Sequence, residues 1–116
     1  MGGDAEYPFV ALEGARINAK KFGLKVVYDK TYPLSTTDYA PIVRAIQATN
    51  ADIVFVASYP PDTIGMVRAA NEVGLKTKVC GGPMIGTGFA SVKKQLGPLL
   101  NGVVGYELYV PEPTIK

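Results

Sequence analysis

Three short segments of this sequence combine tyrosine, serine, glycine and proline in a way that suits a binding site for a small organic molecule. They lie at residues 6–8, 58–61 and 81–86. Tyr7 and Tyr59 each offer an aromatic face and one hydroxyl group, which together can hold the apolar body and the polar end of a solute. The alternative interpretation is that each tyrosine is a partly exposed packing residue.

The glycine-rich segment raises the question of nucleotide binding, which its residues do not favour. Residues 81–88 lack the Gly-Lys-Ser/Thr ending of a phosphate-binding P-loop. Pro83 has no amide proton, so the segment has one fewer backbone donor for a phosphate. We therefore interpret this segment, with Gly82, Pro83 and Met84 at its centre, as a place where the backbone approaches a ligand closely.

Most catalytic and metal-binding chemistry is excluded by composition. The sequence has no histidine and a single cysteine, Cys80. Ser-His-Asp and Cys-His catalysis are therefore impossible, and a soft metal site has too few ligands. Asp38 and Asp62 are explained as helix caps and leave no evident pair of catalytic acids. We expect a protein that is not an enzyme and needs no cofactor, with an enzyme as the weaker alternative.

The size and charge of the chain indicate one globular domain without a nucleic-acid partner. Its 116 residues fit a single domain, and 47% are hydrophobic. The net charge is only +2, and the basic residues are scattered along the chain. No apolar run approaches the roughly 20 residues that cross a bilayer. Residues 1–6 do not resemble a signal peptide, so the signal of an exported parent protein would lie outside this chain.

Apolar spacing predicts alternating helices and strands. Helices are predicted over residues 8–22, 39–49 and 88–96, with another that Asp62 caps and Gly74 ends. Val10, Gly14 and Ile17 are predicted to form the apolar side of the first helix. Strands are predicted at residues 24–28, 53–56, 78–80 and 103–106. This alternation predicts a three-layer α/β/α Rossmann-like (flavodoxin-like) lobe with a mainly parallel sheet of about four strands.

The beginning of the chain departs from that architecture. Residues 1–6 show no apolar alternation, so the first strand of the lobe is expected to be missing and the chain to be a piece of something larger. In open α/β sheets, ligands bind beyond the carboxyl ends of the strands. The three segments described above fall at such ends. We therefore predict a crevice lined by six residues, namely Tyr7, Ser58, Tyr59, Gly82, Pro83 and Met84.

Several ordered segments resemble one protein family. Residues 25–28, 32–33, 36–43, 51–56, 74–76 and 101–106 are similar, in order and spacing, to the branched-chain amino-acid-type, type I periplasmic binding proteins. The resemblance implies a protein of two doubly wound lobes that close on a solute and dock onto an ABC permease. Residues 1–116 would be a partial second lobe, without the first lobe. The parent protein would be periplasmic or extracellular.

The resemblance also assigns roles to individual residues. Tyr7 matches an aromatic residue that lines the cleft, and Tyr59 matches a tyrosine that contacts the ligand. Met84 stands where amino-acid-binding members carry a glutamate that pairs with the ligand's ammonium group. An uncharged, aromatic or carboxylate-bearing solute therefore fits better than an α-amino acid. The alternative function is a ligand-sensing domain of a receptor or transcription regulator.

The missing first strand would leave strand edges unpaired, so the isolated chain is expected to form a homodimer.

Overall fold

The computed structural model describes residues 1–106, and within them the chain alternates strands and helices throughout. The strands are β1 (Gly2–Gly3), β2 (Thr31–Tyr32), β3 (Ile53–Phe55), β4 (Val79–Gly82) and β5 (Val103–Gly105). The helices are α1 (Glu6–Lys21), α2 (Ala40–Gln47), α3 (Pro60–Val73) and α4 (Ala90–Leu96), followed by a 3-10 turn (Gly97–Leu100). Each consecutive pair of strands is joined by one helix.

All strand pairs are parallel. The order β3-β4-β5 forms one ladder, and β1 pairs with β2 in another. The two ladders meet because Gly2 bridges to Ala57, just after β3, and the Ala57 amide donates to the Met1 carbonyl at 3.0 Å. β1 therefore lies between β2 and the chain that follows β3, which is the doubly wound arrangement. The predicted parallel α/β lobe is confirmed.

Two expectations about strands were wrong in detail. Residues 1–6 were expected to contain no strand, yet Gly2–Gly3 is one, because pairing on both sides stabilises two glycines that have no apolar pattern. Residues 24–28 were predicted as a strand, but the paired residues are Thr31 and Tyr32. The β1–β2 register places Lys30 opposite Met1. Within the described residues, 24–29 consequently have no strand beside them.

The hydrophobic core lies between the sheet and the helices α2 and α3. Val54 and Val56 point to this side and pack in one cluster with Val43 and Ile46 of α2 and Met66 of α3. Val43 and Ile46 are the buried residues of α2 and form its apolar side. On the opposite side of β3, Ile53 is 52% exposed, so the expectation that both sheet faces are covered fails at this position.

The predicted apolar side of α1 was wrong. Val10 and Ile17 are 64% and 61% exposed, while the buried residues of α1 are Pro8 and Leu12. The cause is that α1 packs over β1. A Cβ atom on Gly2 would lie 3.1 Å from both Pro8 Cβ and Leu12 Cδ1, so the helix meets the sheet through these two side chains.

The helix ends follow ordinary capping rules. Phe22 is the C-cap of α1, and the next residue, Gly23, takes a left-handed φ of 69°, which glycine adopts readily. Asp38 Oδ1 accepts the Ala40 amide at 3.1 Å, but the N-cap of α2 is Tyr39, so Asp38 lies one residue before the cap and the predicted cap position was wrong. The helix α3 begins at Pro60, two residues before the predicted cap, because proline suits the first turn. Asp62 thus lies inside its first turn.

Candidate functional site

The three segments singled out in the sequence meet at the carboxyl ends of the strands. Tyr7 lies in the first turn of α1, just after β1, and Tyr59 directly precedes α3, just after β3. Pro83 follows the last residue of β4. Because neighbouring parallel strands end at the same edge of the sheet, these three residues converge there. We call Tyr7, Tyr59 and Pro83 the tyrosine edge.

The tyrosine edge is held by ring contact and a shared acceptor. The rings of Tyr7 and Tyr59 have centroids 5.9 Å apart and planes tilted by 44°, within the range of favourable aromatic pairs. The Tyr7 hydroxyl donates to the Pro83 carbonyl at 3.4 Å, and the Ser58 amide donates to the same oxygen at 3.3 Å. Both rings are only half-buried, so each has surface left for a ligand.

The Ser58 side chain serves the scaffold of this edge. Ser58 is fully buried, and its hydroxyl lies 2.8 Å from the Thr63 hydroxyl. Thr63 donates its single proton to the Ile85 carbonyl at 2.9 Å, so it accepts the proton of Ser58. The Ile85 amide in turn donates to the Ser58 carbonyl at 2.9 Å. These hydrogen bonds connect the turn after β3 to the turn after β4. Thr63 was not among the residues predicted for the site.

The buried carboxylate of Asp62 fixes the backbone of Tyr59. Asp62 is 4% exposed, and its Oδ2 accepts the Tyr59 amide at 3.4 Å. The hydroxyls of Tyr32 and Tyr39 donate to the two oxygens of Asp62 at 3.3 and 3.4 Å. Burial, followed by the nearby Asp62 charge, raises the pKa of Tyr39 to about 12 and that of Tyr32 further. Both tyrosines therefore stay protonated as donors.

The structure places the Met84 side chain away from the tyrosine edge, and the backbone of Gly82 lies against a neighbouring strand. Met84 is 2% exposed and packs in the hydrophobic core. Gly82 has a φ of 136°, and a Cβ atom there would lie 2.7 Å from the Val56 carbonyl oxygen. At Gly81 a Cβ atom would overlap the Val104 carbonyl. The close approach that these glycines allow is thus to neighbouring strands of the protein itself.

A third tyrosine lies near the edge and was not among the predicted site residues. Burial raises the pKa of the Tyr7 phenol, and the phenols of Tyr106 and Tyr59 raise it further. Tyr106 follows β5 and is 60% exposed. Tyr106 is the last residue of the predicted strand 103–106, and this place at a strand end is the signal that could have found it, since the same rule identified Tyr59.

The edge offers aromatic faces, hydroxyls and backbone groups, and none of its residues is a charged side chain. Among residues 1–106, no cluster of three or more His, Cys, Asp or Glu side chains could hold a metal ion. Burial raises the pKa of the Cys80 thiol, which keeps it in its less reactive protonated form. None of the described helices is long and apolar enough to span a membrane.

Comparison with known proteins agrees with this geometry. A family model described as periplasmic binding protein matches residues 1–115. The chain belongs to this family. In Brucella abortus (strain 2308), the Leu/Ile/Val-binding protein homolog 8 is 39% identical over 59 residues, which are 51% of this chain and 15% of that protein. Homolog 7 of the same strain is 35% identical over 57 residues, which are 49% of this chain and 14% of that protein.

The fold is also found in a solved structure. The leucine-, isoleucine-, valine-, threonine- and alanine-binding protein from Brucella ovis, in its closed conformation, matches 96% of this chain with a TM-score of 0.83 and 23% identity. The match covers 28% of that chain. This periplasmic-binding-protein sequence therefore has the fold of one part of a larger binding protein and spans only a minor share of its relatives' length.

Proposed function

We propose that this chain is a partial second lobe of a solute-binding protein, and that the parent protein delivers a small organic solute to an ABC permease. The observation that carries the proposal is the tyrosine edge. Two half-buried rings, 5.9 Å apart, stand beyond the carboxyl ends of parallel strands in a member of the periplasmic binding protein family. The parent would act in the periplasm or outside the cell, and its absent first lobe would close over this edge.

The chemistry of the tyrosine edge supports a solute with an apolar or aromatic body and a polar end. Ring faces of Tyr7 and Tyr59 would cover the body, and their hydroxyls would meet polar atoms. The relatives are named for binding leucine, isoleucine and valine, which supports an amino-acid-like solute. The tyrosine edge has no carboxylate that could pair with an ammonium group, which supports a simple carboxylate instead. Leucine, phenylalanine and phenylacetate are therefore the informative probes.

The test is calorimetric titration of the two-lobed parent with these three compounds. At least one should bind, and Tyr59→Ala should weaken it by about 1–3 kcal/mol, the scale of losing a buried aromatic contact. Tyr59→Phe keeps the ring and is the matched control, so it should lose less. Unchanged affinity in Tyr59→Ala would remove Tyr59 from the site, and no binding of any solute by the wild type would refute the proposed function.

A further inference from the structure

A cavity lies between the helices α2 and α3 and the sheet. It has a volume of about 330 Å³ and is lined by core residues of all three elements, including Val43, Ile46, Val54 and Val67. These side chains are 6% exposed or less, so the cavity reaches into the hydrophobic core. A volume of this size is within the range of small-molecule sites, which begins at roughly 300 Å³.

The cavity exists because α3 presents small side chains to it. Met66, Val67, Ala70 and Asn71 line the cavity from α3, with the spacing of one helix face, and Gly74 lines it from the C-cap of the helix. Two of them have no side chain beyond Cβ. Asn71 uses its amide to donate to the carbonyls of Val67 and Leu99, at 3.3 and 3.4 Å, and so bonds to the protein. This face leaves space where larger side chains would fill the core.

The wall of the cavity selects against charge. Lys78 is the one charged residue that lines it, and its ammonium group lies 3.0 Å from Asp52 Oδ1 in an exposed ion pair. That pair is neutral as a whole and lies in water. A charged ligand would give up its hydration and would find only neutral polar groups, those of Asn71, Thr77 and Asn101, in the rest of the wall, which is costly. A neutral, apolar ligand gives up little hydration free energy on entering the cavity.

We propose that this cavity binds a compact, neutral, apolar molecule, of the class of small aromatic hydrocarbons and heteroaromatics. An engineered apolar cavity of roughly 150 Å³ stays dry and takes up benzene, so the larger space here accommodates a bicyclic ring. The gain comes from dispersion contacts that the wall otherwise lacks. The site lies apart from the tyrosine edge and does not depend on the proposed solute-binding function.

Cys80 provides a built-in reporter for the test. Its side chain lines the cavity and is partly buried, and it is the only cysteine of the chain. Indole is the probe, and indole-3-carboxylate is the matched charged control. The rate of Cys80 alkylation is measured at fixed pH with increasing indole. If alkylation requires the empty cavity, an indole concentration of about ten times its dissociation constant should slow it roughly elevenfold.

Two variants locate the effect. Ala70→Leu fills the cavity from α3 and should abolish protection by indole, whereas Ala45→Leu makes the same change at an exposed position of α2 and should preserve it. Saturable protection by indole with at least tenfold weaker protection by indole-3-carboxylate supports the proposal, even if Ala70→Leu does not fold. It is overturned by absence of protection, by equal protection from both compounds, or by full protection in a folded Ala70→Leu variant.

Discussion

At the scale of single residues, Tyr7 and Tyr59 owe their positions to polar groups that lie beneath them. Tyr7 is fixed by the Pro83 carbonyl, and Tyr59 by the Asp62 carboxylate that accepts its amide. Tyr32 and Tyr39 belong to the same aromatic class but are buried as donors to Asp62. All four residues are tyrosines, and burial separates the scaffold from the candidate site: Tyr32 and Tyr39 are buried, whereas Tyr7 and Tyr59 are half-buried.

Met84 gives a sharp prediction at this scale. Because its side chain is 2% exposed within the core, Met84→Glu would bury a carboxylate without a partner. We expect a loss of about 3 kcal/mol or more in the free energy of unfolding, measured by urea denaturation. Met84→Leu keeps the volume and should cost less than about 1.5 kcal/mol. A Met84→Glu protein of normal stability that gained affinity for ammonium-bearing solutes would instead place residue 84 at the ligand.

At the scale of elements, helices were predictable because their signals are local. The apolar spacing of α2 and the Gly23 and Gly74 stops depend on residues within a turn or two, and all appear in the structure. The meeting of Tyr7 and Tyr59 at one edge followed from the rule for parallel strands. The hydrogen bond from Thr63 to the Ile85 carbonyl could not be predicted, because it forms only when α3 and the turn after β4 are folded together.

The predictions that were wrong at this scale concern elements whose packing partners lie far away in the sequence. Val26 and Val27 have strong β propensity, but no strand lies beside them within the described residues, and propensity alone does not make a ladder. Val10 and Ile17 have helical spacing, yet α1 contacts the sheet through Pro8 and Leu12. Which face of a helix is buried is decided by what it packs against, and the sequence of the helix does not contain that information.

The hydrogen bonds that join Tyr32 and Tyr39 to Asp62 predict that the stability of the fold decreases at alkaline pH. Tyr39 ionises near pH 10 when unfolded, and its folded pKa is about 12. Its contribution to stability is therefore complete below about pH 10 and is lost as the pH rises towards 12, with a slope of up to about 1.4 kcal/mol per pH unit. Tyr39→Phe should be less stable at neutral pH, and the difference from the wild type should shrink above pH 10.

Urea unfolding of both proteins from about pH 9 to about pH 11 measures this convergence. Two stability curves that stay parallel across that range would show that Tyr39 does not ionise differently in the folded and unfolded protein. In that case, protonation of Tyr39 would make no contribution to the free energy of unfolding through its hydrogen bond to Asp62.

At the scale of the whole molecule, the two sides of the sheet are unequal. The side that faces α2 and α3 is buried, whereas Ile53, Val79 and Val104 on the strands β3 to β5 are exposed. Residues 24–29 also belong to no strand, and they form no ladder with another part of the described chain. Exposed strand edges and apolar sheet faces favour association with another chain.

We therefore expect the chain by itself to form a homodimer. Sedimentation equilibrium at micromolar concentration should give twice the chain mass of 12.3 kDa. Val26→Lys places a charge on the unpaired segment and should shift the equilibrium towards the monomer, because charged side chains block edge pairing. A wild-type protein that sediments at 12.3 kDa at all concentrations would show that these surfaces do not associate.

The central claim is that the tyrosine edge contacts a solute, and nuclear magnetic resonance of this chain with labelled tyrosine rings tests it most directly. The chain carries seven tyrosines, which lie both at the edge and elsewhere. Titration with leucine, phenylalanine and phenylacetate at millimolar concentrations should shift the ring signals of Tyr7, Tyr59 and Tyr106, while those of the buried Tyr32 and Tyr39 stay in place. Shifts confined to other tyrosines, or no saturable shift with any of the three compounds, would contradict the account.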